Sequence, residues 1–256
     1  MAGRSTKQFL FGTIYVVLIF LILYAFYGVF IRSSPTCFDN KQNGSETGVD
    51  CGGSSCVACE IKNLANIRIS SVTPIPGADA DLTTLLVEFQ NPNQNYGATV
   101  FEYTLNLYGK TGTSTIYSSP QTAFIYPGEI KQRLMLNIPV AFSSVVRGEG
   151  VLTSITWESR TLFSAPKLET REIKVDLQPE RGRVVITGVL RNDNTFSIRR
   201  ANVSAVFSDS TGKPILASQT VVDNLGPFEE RFFQITALAK NASSLKTPRI
   251  SVEAER

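Results

Sequence analysis

The chain has 256 residues, 43% hydrophobic and 18% charged, with a formal net charge of +3 and no histidine. This hydrophobic fraction excludes wholesale disorder, and the length allows one or two packed domains. With no long basic run there is no electrostatic footprint for nucleic acid, and the missing histidine removes the commonest general base and a frequent metal ligand.

Residues 1–8 are short and polar. From Phe9 to Ile31, 23 consecutive residues carry no charge (FLFGTIYVVLIFLILYAFYGVFI). About 20 apolar residues cross the hydrocarbon core as a helix, so residues 9–31 are expected to span a membrane and to meet lipid directly. The competing reading is a cleaved signal peptide, whose apolar region usually runs about 7–15 residues to a small-residue cleavage site. Here the run closes on Tyr24, Phe26, Tyr27 and Phe30, bulky aromatics that suit a membrane interface. Arg4 and Lys7 precede the span and only Arg32 follows closely. The positive-inside rule therefore predicts a cytoplasmic N-terminus and an exported remainder. Setting Arg4 and Lys7 aside leaves that remainder a net charge of +1, too small to single out a partner.

All four cysteines fall in the next segment, residues 32–60, with the spacing C-x13-C-x4-C-x2-C. Four thiolates can hold zinc, and Cys56-x-x-Cys59 has half the usual knuckle. An oxidising compartment and a segment too short to bury a core instead favour two disulfides among Cys37, Cys51, Cys56 and Cys59, with three pairings open. Between them Asp39, Asn43, Glu46 and Asp50 offer hard oxygen ligands of the kind calcium prefers, without the EF-hand spacing; the alternative is a solvated acidic loop. No other cofactor is expected. The run C-x-D, E-x-G-x-D-C-G-G and C-x-x-C resembles a cysteine-rich motif of uncharacterised bacterial and archaeal envelope proteins. That resemblance covers residues 37–59 and implies an extracytoplasmic setting.

After Glu60 the hydrophobic period becomes two. Phe101, Tyr103, Leu105 and Leu107 alternate with polar neighbours, as do Leu134, Leu136 and Ile138, then Ile173, Val175 and Leu177, then Ala201, Val203, Ala205 and Phe207. Such runs are half-buried antiparallel strands, and PIPG, NPNQN, KTGT, YPGE, RNDN, STGKP and LGPFE separate them as turns. The fold class is therefore all-β, with two tandem immunoglobulin-like sandwiches expected at residues 61–165 and 167–256. The halves share landmarks at an offset of about 100: Asn91-Pro-Asn93 with Asn192-Asp-Asn194, Gly112 with Gly212, and Pro127-Gly-Glu129 with Gly226-Pro-Phe-Glu229. A duplicated domain follows, and a two-unit array of this kind is expected to be elongated.

Leu105-Asn-Leu107-Tyr108-Gly109, followed by Lys-Thr-Gly, resembles the F-x-L-Y-D strand and turn of FxLYD domains, relatives of the LEA14-like sandwiches. Ala205-Val-Phe207-Ser208-Asp209 sits at the same place more loosely, and Gly188-Val-Leu-Arg-Asn192-Asp-Asn194 matches their upstream G-x-x-x-N-x-N element. The resemblance implies exported modules without catalysis. The first repeat lacks the aspartate and the second lacks the Leu-Tyr pair.

Other fragments are weak. Gly109-Lys110-Thr111 has no preceding P-loop glycine, and Ser164-x-x-Lys167, Ser210-x-x-Lys213 and Ser243-x-x-Lys246 fit a permissive nucleophile pattern in the wrong order. Trp157 reads as core, and Arg199-Arg200 as a solvated strand end. Asn43, Asn202 and Asn241 open N-x-S sequons, with Asn202 on the polar face of its strand. The expectation is a non-enzymatic, membrane-anchored envelope protein with a structural, adhesive or protein-interaction role, bound to another envelope protein or polymer and not to nucleic acid. The alternative is an accessory subunit of a membrane-embedded secretion or pilus-type complex.

Overall fold

The computed structural model describes residues 3–27, 37–239 and 245–255, and the chain divides into two compact units, Met1–Leu64 and Ala65–Arg256. In the first unit, helix α1 spans Arg4–Phe26. Its stretch Gln8–Phe26 has a mean hydropathy of 2.6 and none of it is buried, so it is long and apolar enough to cross a membrane. A helix apolar on every face has no wet side to offer water. The helix begins before Phe9 because nothing between Arg4 and Gln8 breaks it; residues 28–31 of the expected span, and Arg32, lie outside the described residues.

The cysteine segment is tied by two disulfides, Cys37–Cys56 and Cys51–Cys59, and ends in the single-turn helix α2, Cys59–Lys62. No apolar core accompanies them. Phe38, Val49 and Val57 are exposed, so covalent links and polar caps hold the segment.

The second unit is built of strands, with single 3-10 turns at Phe142–Ser144 and Pro179–Arg181. Its first sandwich contains β1 (Arg68–Pro76), β2 (Thr83–Gln90), β3 (Tyr96–Tyr108), β4 (Thr115–Ile125), β5 (Ile130–Ile138) and β6 (Arg147–Ser159). Two antiparallel sheets, β1-β2-β5 and β4-β3-β6, face each other. Leu85, Val87 and Phe89 from one meet Phe101, Tyr103, Leu105 and Leu107 from the other, with the Phe89 ring edge-on to Phe101 and Tyr103 at 5.1 Å. Strand β6 comes close over β1 because it carries glycine at two inward positions: a Cβ on Gly148 would meet Val72 at 2.5 Å, and one on Gly150 would meet Ile69 at 2.7 Å.

The second sandwich repeats this topology. It contains β7 (Leu168–Gln178), β8 (Arg183–Asn192), β9 (Ile198–Ser208), β10 (Pro214–Leu225), β11 (Glu230–Leu238) and β12 (Arg249–Glu255), in sheets β7-β8-β11 and β10-β9-β12. Ala201, Val203, Ala205 and Phe207 are fully buried, as their spacing predicts. Ile173, Val175 and Leu177 depart from expectation: each is exposed, although they share the inward side of β7. The cause is length. Strand β6 runs 13 residues over β1, whereas β12 has only 7 and leaves β7 uncovered.

The landmark residues form one hydrogen-bond network, built twice. The Asn91 side-chain amide donates to the carbonyls of Tyr96 and Tyr126, and its oxygen accepts from the Asn93 backbone and side chain. Asn93 in turn holds both the N–H and the carbonyl of Ala65, where the chain enters the sandwich. In the second copy Asn192 donates to Phe196, Leu225 and Gly226 and accepts from Asn194, which holds both backbone groups of Lys167.

The two sandwiches pack flank to flank, β5 against β10 and β12 and β1 against β10, where end-to-end extension was expected. Strand β5 makes this possible by being apolar on both sides. Met135 and Ile138 join its own core, while Leu134 and Leu136 turn outward to a second cluster with Ile75, Leu86, Val206 and Ala217.

Candidate functional site

Two places concentrate polar chemistry: the disulfide segment and the contact between the sandwiches. In the segment, Asp39, Asn43, Glu46 and Asp50 are brought together; the three carboxylates accept from backbone N–H groups, while Asn43 Oδ1 is buried without a hydrogen-bond partner. Asp50, itself buried, accepts from the N–H groups of Asp39 and Asn40 at 2.9 and 3.0 Å, and Lys62 Nζ lies 3.4 Å from its other oxygen. Glu46 accepts from the N–H groups of Asn43 and Asp50. Asp39 accepts from Lys41 N–H and from the Asn43 side chain, a bond that holds its carboxyl below the usual range. These carboxylates act as caps for irregular backbone, and Lys62 supplies the positive charge beside Asp50. With all four cysteines paired, no thiolate is left for zinc.

The sequons fall in three settings. Asn43 is half-buried with its amide nitrogen engaged by Asp39. Asn202 is half-buried in a groove between the sandwiches, and Asn241 lies outside the described residues, as does Ser243. Gly109, Lys110 and Thr111 form the β3–β4 turn, closed by Gly112 N–H on the Gly109 carbonyl at 2.7 Å. Ser164, Lys167, Ser210 and Lys213 sit exposed on loops, and Trp157 is packed against the first core. Arg199 and Arg200 are ion-paired to Glu255 and Asp223.

The contact between the sandwiches holds what the sequence did not signal. Lys131 on β5 is buried, its ammonium 2.9 Å from a Glu253 carboxylate oxygen on β12, 2.7 Å from the Phe124 carbonyl and 3.2 Å over the Phe124 ring. The two side chains are only 3% and 11% exposed, so the ion pair is shielded from solvent. Burial pushes the Lys131 pKa down, against the pull of Glu253. Beside it Tyr126 Oη donates to the Ala254 carbonyl at 3.0 Å, and the Phe163 ring stacks on Tyr126 at 4.6 Å. The groove alongside has a volume of about 320 Å³ and is walled by Arg133, Arg200, Glu253 and Glu255 over Val100 and Phe124. Its charged groups already have protein partners: Arg133 donates to the Thr122 carbonyl, and the other three are ion-paired. This arrangement joins two domains. Lys131 and Glu253 are far apart in the chain, so no motif could have announced them, and Lys131 shares its side of β5 with Arg133, which reads as an ordinary wet face.

No protein-family model and no curated protein matches the chain. Among solved structures it is similar to the crystal structure of red sea bream transglutaminase, at 10% identity and a TM-score of 0.25, over 76% of this chain and 29% of that one. The chain thus spans less than a third of that protein's length, and a likeness of this size carries no argument about activity.

Proposed function

We propose that this protein is a single-pass, membrane-anchored extracytoplasmic protein, with its N-terminus in the cytoplasm, and that its paired sandwiches serve a structural, adhesive or protein-interaction role in the cell envelope. The observation that carries this reading is the pairing of all four cysteines a short way after an apolar helix, since disulfides persist in oxidising compartments. The FxLYD resemblance adds support. Asp209, at the signature aspartate, accepts from the N–H groups of Thr211 and Lys213 and so closes the β9–β10 turn. In the first copy Gly109 stands there, and backbone bonds close the turn with the Arg147 side chain donating to the Gly112 carbonyl. A non-catalytic role is supported by the buried charges, which are consumed in joining and capping structure.

Protease added to intact cells or spheroplasts tests the topology. The second unit should be digested, while an epitope fused at the N-terminus survives. Protection of the second unit would reject the proposed orientation.

A further inference from the structure

Strands β1 and β7 hold the same place in the two sandwiches, so each serves as a control for the other. Each lies at the edge of its sheet and pairs with one neighbour, β1 with β2 and β7 with β8. An open edge is a template for a further strand, and proteins blunt it with proline, a cover, an inward charge or a bulge. Strand β1 has two of these devices: Pro74 and Pro76 remove donors, and β6 lies over its inward side. Strand β7 has no proline and no inward charge over residues 173–177. Its inward side chains there, Ile173, Val175 and Leu177, remain 37%, 38% and 41% exposed. Its bulge, with Glu172 at φ 52°, lies at the start of this run and leaves residues 174–178 in regular register with β8.

The charges of the run show what fits it. Lys174 and Asp176 are exposed on the outward side, and the residues across from them on β8 are the uncharged Thr187 and Val185. Neither joins an ion pair among the described residues; Asp176 accepts only from the Gln178 side chain. An antiparallel copy of the same strand answers this pattern. A two-fold axis normal to the sheet keeps both inward sides on one face only where it passes through a residue. With the axis at Val175, Lys174 meets the partner's Asp176 and Ile173 meets the partner's Leu177, and the reciprocal contacts follow. An axis at Lys174 or at Asp176 would set like charges directly opposite each other, which destabilises a strand pair. An axis at Ile173 falls on the bulge, and one at Leu177 runs past the strand end at Gln178. The register at Val175 is the one that the bulge, the strand end and the charges all permit.

We propose that this protein forms a two-fold dimer by antiparallel pairing of β7 with the β7 of a second copy, Val175 lying on the axis between two Lys174–Asp176 pairs. Main-chain hydrogen bonds hold the contact, as in other strand additions, and the ion pairs fix the register. The sheets β11-β8-β7 of the two copies become one six-stranded sheet, in which the apolar rows of both strands meet and lose part of their exposure. The dimer goes beyond the envelope reading and does not depend on the orientation of the anchor.

The test is the mass of the full-length chain in detergent, measured by light scattering over a dilution series. The parent chain is expected to be a dimer. Lys174→Asp sets aspartate against the partner's Asp176 at both contacts, and Asp176→Lys sets lysine against lysine, so each alone should weaken the dimer about tenfold. Both changes in one chain exchange the charges, recreate the two pairs and should restore the dimer. When Lys174→Asp and Asp176→Lys chains with different tags are mixed, each should pair with the other in preference to itself, a result that a misfolded variant could not give. A monomeric parent, or a mixture without the mixed dimer, would overturn the proposal. So would a dimer indifferent to the single reversals, as one held by the apolar helix would be.

Discussion

Asn91 and Asn192 are buried amides that tie a strand end to the start of the next strand and to the following turn through one side chain, and position Asn93 and Asn194, which hold the incoming chain. Replacing either with alanine leaves several buried carbonyls and an N–H without partners, at roughly 1–3 kcal/mol for each group that stays unsatisfied. Asn192→Ala should therefore lower unfolding stability by about 2–4 kcal/mol, read as a shift in denaturant midpoint with unchanged slope. The turn glutamates offer a second residue-scale test, because the two copies perturb them in opposite directions. Burial raises Glu129, while the Gly226 N–H and then Arg231 lower Glu229. Glu129 thus contributes stability that is present below its unfolded pKa and lost as pH rises through its folded one. Glu229 contributes stability that is present above its unfolded pKa and lost as pH falls through its folded one. Side-chain carboxyl NMR should show Glu129 titrating above, and Glu229 below, the ordinary glutamate range; coincident titrations would refute the assignment. Both asparagines were legible from sequence as landmarks of a repeat, because short turn motifs survive at a fixed offset. Their long-range bonding was not, since the carbonyls of Tyr126, Leu225 and Gly226 belong to another turn.

At the level of elements, period-two reasoning identified β3 and β9 well, because a central strand has one inward face and a neighbour on each side. It failed at the edges. Strand β5 is apolar on both sides, so alternation alone named Leu134 and Leu136 as inward, whereas these turn toward the neighbouring sandwich. Strand β7 carries the right pattern but lacks a cover, since the short β12 does not reach it. The close approach of β6 to β1 yields a direct test. Gly148→Val or Gly150→Val would force a side chain into Val72 or Ile69, and overpacking of this kind costs about 1–3 kcal/mol. Thermal melts of these variants should fall, while Gly112→Ala, a left-handed turn position with open space around it, should cost less. The disulfide segment should respond to reductant independently of the strands. Alkylation of the unreduced, denatured chain should find no free thiol, and reduction should leave the β-sheet circular dichroism unchanged, since all four cysteines precede Ala65.

For the whole molecule, the Lys131–Glu253 pair makes the contact between sandwiches sensitive to the loss of a single charge. Lys131→Met leaves Glu253 poorly hydrated and unpaired, a change that typically costs 3–5 kcal/mol at a buried pair, roughly the range expected here. Adding Glu253→Leu should recover much of it, because an apolar pair of similar volume replaces the ions. Hydrogen exchange should show β5 and β12 losing protection together in the single variant and regaining it in the double. A single variant with unchanged exchange would show that Leu134, Leu136 and Val206 hold the contact without the ions. The Asn93 and Asn194 clamps also have a mechanical meaning. The chain enters the first sandwich at Ala65, and Glu255 on β12 lies opposite Arg200, close to the end of the second sandwich where Asn194 grips Lys167. Tension applied across the second unit would peel edge strands from one end, a geometry in which bonds break singly and at low force. Under such a load the paired asparagine bonds to Ala65 and Lys167 would be the first to be strained, so these two polar hooks, more than either hydrophobic core, would set the force at which each sandwich begins to open.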